Sequence, residues 1–149
     1  MKFSAREDID APIESVFEAV SDFDAFERRM LRRGVDIVRD DVAPLDQVGV
    51  CWKAKFSWRG RMYDVDAELV TLNPGEGYCI ESRSSGIECL GNVELVALSK
   101  TRTRMFVSLD LKPVTLSARL LVQSLRLAKS NLSRRFKVRV HEFASGLSG

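Results

Sequence analysis

Residues 9–30 read IDAPIESVFEAVSDFDAFERRM, a stretch in which apolar side chains recur at helical spacing until SDFD interrupts them. Pro12 suits the first turn of a helix, where no hydrogen bond needs its missing N–H, and Asp10 is a candidate N-cap. Ser21 or Asp22 can cap a second helix that carries the later aromatic residues. The stretch therefore predicts two short helices in direct succession.

The segment before these helices predicts a strand with a carboxyl group on its apolar side. Residues 2–9 alternate, and Glu7 shares a side with Phe3, Ala5 and Ile9. A carboxyl group in apolar surroundings is a candidate general acid or a hydrogen-bond partner for a ligand. The alternative is that Glu7 pairs with a nearby arginine or reaches solvent.

From residue 35 to about residue 112 the pattern has period two. A two-residue turn at Arg59 and Gly60 sets Phe56 opposite Tyr63. The same register brings unlike charges together on the other face, pairing Lys55 with Asp64 and Lys53 with Asp66. A second hairpin closed by Ser85 and Gly86 sets Arg83 opposite Glu88. Six or seven strands joined by tight turns predict an antiparallel sheet.

The last segment, residues 115–146, predicts one long helix. It has no proline and no glycine before Gly146, and its apolar residues recur every three or four positions. The predicted fold class is α+β: a sheet of six or seven strands, two short helices after the first strand, and a long C-terminal helix.

Length and composition favour one domain over residues 1–149, because an ordinary soluble chain of this size can bury a sufficient core. No apolar run approaches the roughly 20 residues that span a bilayer, and charges occupy the start of the chain, so we expect a cytoplasmic protein. Three widely spaced cysteines and a single histidine, His141, predict no metal site. No nucleotide-binding motif is present, so we expect no cofactor.

Charge is concentrated in the predicted C-terminal helix. Residues 115–146 hold seven Lys and Arg against one Glu, a net charge of +6. Such a segment can meet anionic lipid or an acidic partner, but its charges are scattered around the helix, as on an ordinary solvated surface. An apolar strip of Leu116, Leu120, Leu127 and Val138 lies opposite the main stripe and is a candidate for self-association or membrane contact.

The order of elements and the opening IDAPIESVFEAVSDFDAF resemble the START-like superfamily (SRPBCC), the helix-grip fold of polyketide cyclase/dehydrase and birch-pollen-allergen proteins. FERRMLRRG stands where many relatives have a tryptophan and a proline. The resemblance implies a curved sheet around the long helix, with an apolar cavity between them. The alternative is a solid core. The candidate ligand-binding residues are Glu7, Phe26, Met30, Trp52, Phe56, Trp58, Tyr63, Val65, Tyr78, Ser82, Met105, Leu121, Leu125 and Leu132.

The function predicted from this resemblance is binding of a small or medium hydrophobic molecule, such as a lipid, a quinone or a polyketide, by a carrier or sensor. One alternative is a polyketide cyclase or dehydratase that acts in the same cavity. A second is an interaction protein that uses the basic helix in quinone function or at ribosomes. We expect no nucleic-acid partner, and peripheral membrane contact and a monomer or homodimer remain open.

Overall fold

The computed structural model describes residues 1–40 and 47–148. The elements are β1 (Lys2–Ile9), α1 (Ile13–Val20), α2 (Phe23–Arg32), β2 (Asp36–Arg39), β3 (Cys51–Trp58), β4 (Arg61–Asn73), β5 (Gly77–Ser84), β6 (Ile87–Ser99), β7 (Arg102–Pro113), α3 (Leu116–Leu127) and α4 (Lys129–Ser145). The strands form one antiparallel, curved sheet in the order β1-β7-β6-β5-β4-β3-β2. The predicted sheet and the two short helices after the first strand are confirmed.

Both predicted hairpins have the predicted register. Phe56 pairs with Tyr63 across β3 and β4, and Arg83 pairs with Glu88 across β5 and β6. The turn residue Ser85 has a φ of 49°, and Gly86 follows with 76°. Two successive positive φ angles twist a two-residue turn in the sense that the flanking strands require.

Capping differs between the two short helices. Asp22 is the N-cap of α2, and its Oδ1 accepts a hydrogen bond from the backbone N–H of Ala25 at 3.1 Å. The expectation that Asp10 caps α1 is wrong, because Pro12 occupies the N-cap position. Asp10 instead pairs with Arg102, with 3.4 Å between carboxylate oxygen and guanidinium nitrogen.

The single C-terminal helix predicted over residues 115–146 is corrected to two helices. Ala128 ends α3 with a φ of −103° and a ψ of 11°, and α4 begins at the next residue. The amide of Ala128 bonds to Leu125 O, three residues back, which tightens the last turn of α3. One non-helical residue leaves the apolar stripe on nearly the same side, so the periodicity continues across the break.

The core fills one end of the space between the sheet and the helices. There α1 and α2 close over the sheet, and Phe23 packs edge-on against Trp52 and Tyr78 with ring centroids 5.5 and 5.2 Å apart. The buried cluster at this end also includes Ile9, Val16, Val20, Val50, Leu69, Leu95, Met105, Val140 and Ala144. The other end, covered by α3 and the start of α4, contains a hollow.

Candidate ligand-binding site

The hollow, here called the apolar chamber, has a volume of about 470 Å³ and lies between the concave face of the sheet and α3 and α4. Strands β3, β4 and β5 place alternate side chains into it, and the helices close it with leucines. Of the predicted ligand-binding residues, the structure brings together Phe56, Trp58, Tyr63, Val65, Ser82, Leu121, Leu125 and Leu132.

Aromatic rings form one wall of the apolar chamber. Tyr63 stacks on Phe56 at a centroid separation of 5.4 Å and lies 6.2 Å from Trp58. The guanidinium groups of Arg59 and Arg61 lie 4.6 and 5.4 Å from the ring centroids of Trp58 and Tyr63. These cation–π contacts hold the two positive charges beside the aromatic rings.

Polar groups are few in the lining of the apolar chamber, which includes the charged side chain of Arg83. Ser82 and Ser84 both line it from β5. Ser84 Oγ is buried and has no hydrogen-bond partner among the described residues. Burial raises the pKa of the Cys89 thiol, while a hydrogen bond from Ser82 acts in the opposite direction. Ser84 was not among the predicted residues, although it follows Ser82 in the same alternation, and its hydroxyl is an unpaired polar group buried in the chamber wall.

A second hollow, here called the arginine chamber, lies next to the first and has a volume of about 700 Å³. Its walls include four predicted residues, Phe26, Met30, Tyr78 and Met105, and its rim carries arginines from α2 and α4. The Tyr78 hydroxyl donates a buried hydrogen bond of 2.6 Å to Val20 O, and burial raises the pKa of this hydroxyl. Tyr78 therefore contributes its ring to this chamber, because its hydroxyl is already bonded.

Two predicted residues line neither chamber. Trp52 is a core residue, and its indole N–H donates to Glu27 Oε1 at 2.7 Å. Glu7 lines an outer groove between β1 and α4, where its carboxylate is paired with Nδ1 of His141. The other nitrogen of that imidazole lies 3.4 Å from Ser145 Oγ. The predicted partner of Glu7 was an arginine or solvent; the observed contact joins α4 to the edge strand.

Residues 1–40 and 47–148 contain neither a metal-binding cluster nor a membrane-spanning helix. No group of three His, Cys, Asp or Glu side chains in these ranges could hold a metal ion. No helix there combines the length and the apolarity needed to cross a membrane. Each of the two chambers combines a volume of several hundred Å³ with a mostly apolar lining, as small-molecule sites do.

Comparisons of sequence find no match: no protein-family model fits this chain, and neither does any curated protein. Solved structures do match it in fold. A norcoclaurine synthase point mutant from Thalictrum flavum, bound to a transition-state analogue, is 10% identical with a TM-score of 0.67, and the match covers 99% of this chain and 93% of that one.

Two further structures support the same fold. An aromatase/cyclase from a Streptomyces species is 12% identical, with a TM-score of 0.62 over 90% of this chain and 88% of that one. A START superfamily protein from Mycobacterium smegmatis is 14% identical, with a TM-score of 0.56 over 90% and 95%. This chain therefore has the START-like helix-grip fold that its sequence resembles.

Proposed function

We propose that this protein, which has the START-like fold and two internal chambers, binds a small or medium hydrophobic ligand. It would act as a cytoplasmic carrier or sensor. The observation that carries the proposal is the apolar chamber of about 470 Å³ between the sheet and the helices. An apolar ligand would gain about 25 cal/mol for each Å² removed from water. Ser82 would orient a polar group on the ligand from the chamber wall.

Binding of the neutral dye N-phenylnaphthylamine tests this function. Trp52 and Trp58 are the two tryptophans of the chain, so Trp52→Phe leaves the one that lines the chamber. We expect saturable energy transfer from Trp58 to the bound dye. Ser82→Phe places a ring in the chamber and should weaken binding roughly tenfold or more, since a filled site cannot also bury the dye. The matched control, Glu81→Phe, places the same ring on the opposite face of β5.

Alkylation of Cys89 gives a second readout of occupancy. Cys51 and Cys79 are replaced by serine so that the remaining thiol reports from the chamber wall. Because burial raises the thiol pKa, labelling with iodoacetamide should be slow at neutral pH and accelerate as pH rises. The dye should slow it further. If the wild-type protein shows no saturable dye binding and the dye leaves the labelling rate of Cys89 unchanged, the proposed function is wrong.

A second candidate function is peripheral contact with anionic lipid through α3. Leu116, Leu120 and Leu127 are 75, 59 and 92% exposed. The only charged residues of this helix are Arg119 and Arg126, so its surface pairs apolar side chains with positive charge.

Co-sedimentation with phosphatidylglycerol vesicles tests this contact. Binding should be strong at low salt and fall as salt shortens the electrostatic range. Leu127→Gln should reduce the bound fraction severalfold, whereas Leu90→Gln, at a 42% exposed leucine of β6, should leave it unchanged. Absence of sedimentation at low salt would remove this candidate.

A further inference from the structure

The two chambers are adjacent and share one wall residue, Phe136 of α4. The relative position of the two chambers is clearest along β7, where every second side chain points toward the helices. Met105 and Val107 line the arginine chamber, and Leu109 and Leu111 line the apolar chamber. The two hollows therefore lie end to end beneath α4, with a partition near Leu109.

Side chains form this partition. Ile80, Gly91, Leu109 and Phe3 occupy one cross-strand row over β5, β6, β7 and β1. Gly91 contributes no side chain, and Leu109 Cδ2 lies 3.4 Å from the position that a Cβ of residue 91 would take. Above the row, the ring of Phe136 lies 6.2 Å from that of Phe3. The groups that separate the two chambers along this row are therefore side chains, which change rotamer without a shift of the backbone.

The outer rim of the arginine chamber is positively charged. Arg29, Arg33 and Arg139 line it, with Glu142 as the one acidic residue of the lining. None of these arginines forms an ion pair with another residue in the described part of the chain. The Arg29 guanidinium lies 5.4 and 5.3 Å from the ring centroids of Phe26 and Phe143, which hold it at the rim.

We propose that the ligand is a single-chain amphiphile with an anionic head, such as a carboxylate or a phosphate monoester. The head lies at the arginine rim, and the tail passes Phe136 into the apolar chamber. From Met105 to Leu111 the path measures about 20 Å at roughly 3.4 Å per residue, comparable to an extended palmitoyl chain. This inference rests on the proposed function and specifies its substrate class.

Head-group selectivity is the first test. Palmitate, palmityl phosphate and palmityl alcohol have the same tail, and each displaces N-phenylnaphthylamine if it binds. We expect either anion to bind roughly tenfold tighter than the alcohol, the difference that a charge-assisted hydrogen bond supplies. The ratio of the two anions identifies the head. Arg33→Gln combined with Arg139→Gln should remove the preference for anions and leave the alcohol unchanged. Arg135→Gln, on α4 but outside both chambers, is the matched control.

Tail length is the second test. Phe136→Ala should raise the association rate of palmitate severalfold and that of octanoate much less, because the short tail ends before the partition. Phe136→Leu, which keeps apolar volume, serves if the alanine variant does not fold. Equal effects on both fatty acids would contradict passage of the tail between the chambers.

The outcomes separate this inference from the function on which it rests. If the dye binds but the alcohol displaces it as well as either anion does, the anionic ligand is wrong and the hydrophobic site remains. If neither the dye nor palmitate binds, both proposals fail.

Discussion

Gly77→Ala is expected to destabilise the protein by about 3 kcal/mol or more. Gly77 is buried at the start of β5, and a Cβ there would lie 2.0 Å from Val93 O, a backbone atom of the paired strand. Two more backbone atoms, Val93 C and Glu94 Cα, would lie 3.0 and 3.1 Å away. Because the obstacle is the sheet itself, relief requires β5 and β6 to separate. Urea unfolding monitored by circular dichroism measures the loss.

Gly75→Ala is the matched control for this substitution. Gly75 has a φ of +79°, but a Cβ there meets nothing within 4 Å. Its replacement should therefore cost only the roughly 1–2 kcal/mol of a left-handed backbone conformation. If the two variants unfold at the same urea concentration, a steric clash at residue 77 does not explain the destabilisation by Gly77→Ala.

Leu69→Ala is expected to cost roughly 2–5 kcal/mol, the range for truncating a fully buried leucine. Leu69 is 0% exposed and lies at the filled end of the sheet, where β4 pairs with β5 at Ile80. Neighbouring strands hold it in place, since its N–H and C=O bond to Val50 and Gly49. The cavity left by the missing side-chain atoms would therefore shrink little, which keeps the loss of stability large. The free energy of unfolding in urea measures the effect.

Met62→Ala on the same strand provides the comparison. Met62 is 63% exposed, so its truncation should change the free energy of unfolding by no more than about 0.5 kcal/mol. A loss at Leu69 as small as that at Met62 would mean that the filled end is not the core of the protein.

The register of the first hairpin was predictable because two independent signals agree on it. In the first hairpin the aromatic face and the charged face both require the pairing of Lys55 with Asp64, and the structure has this pairing. The break at Ala128 was not predictable, since neither proline nor glycine marks it and the apolar stripe continues into α4. Local patterns therefore predicted the strand pairing of this hairpin, whereas none marks the end of α3.

Alternation predicts the face on which a side chain lies but not whether its surroundings are filled. Trp52 and Trp58 share the concave face of β3, yet Phe23 of α2 packs on the first, and the second borders the apolar chamber. The difference arises from where α1 and α2 close over the sheet. Local sequence pattern likewise could not predict the pairing of Glu7 with His141, because 134 residues separate them in the chain.

The strand order also determines how the chain can fold. From β3 to β7 every strand pairs with its neighbour in sequence through a turn of two or three residues, so these hairpins can form from local contacts. The edge strand β1 has to find β7 across a much longer separation, with Asp8 and Arg104 lying 96 residues apart. Loop closure of that length costs entropy before its contacts form, so docking of β1 is the step that we expect to limit the folding rate.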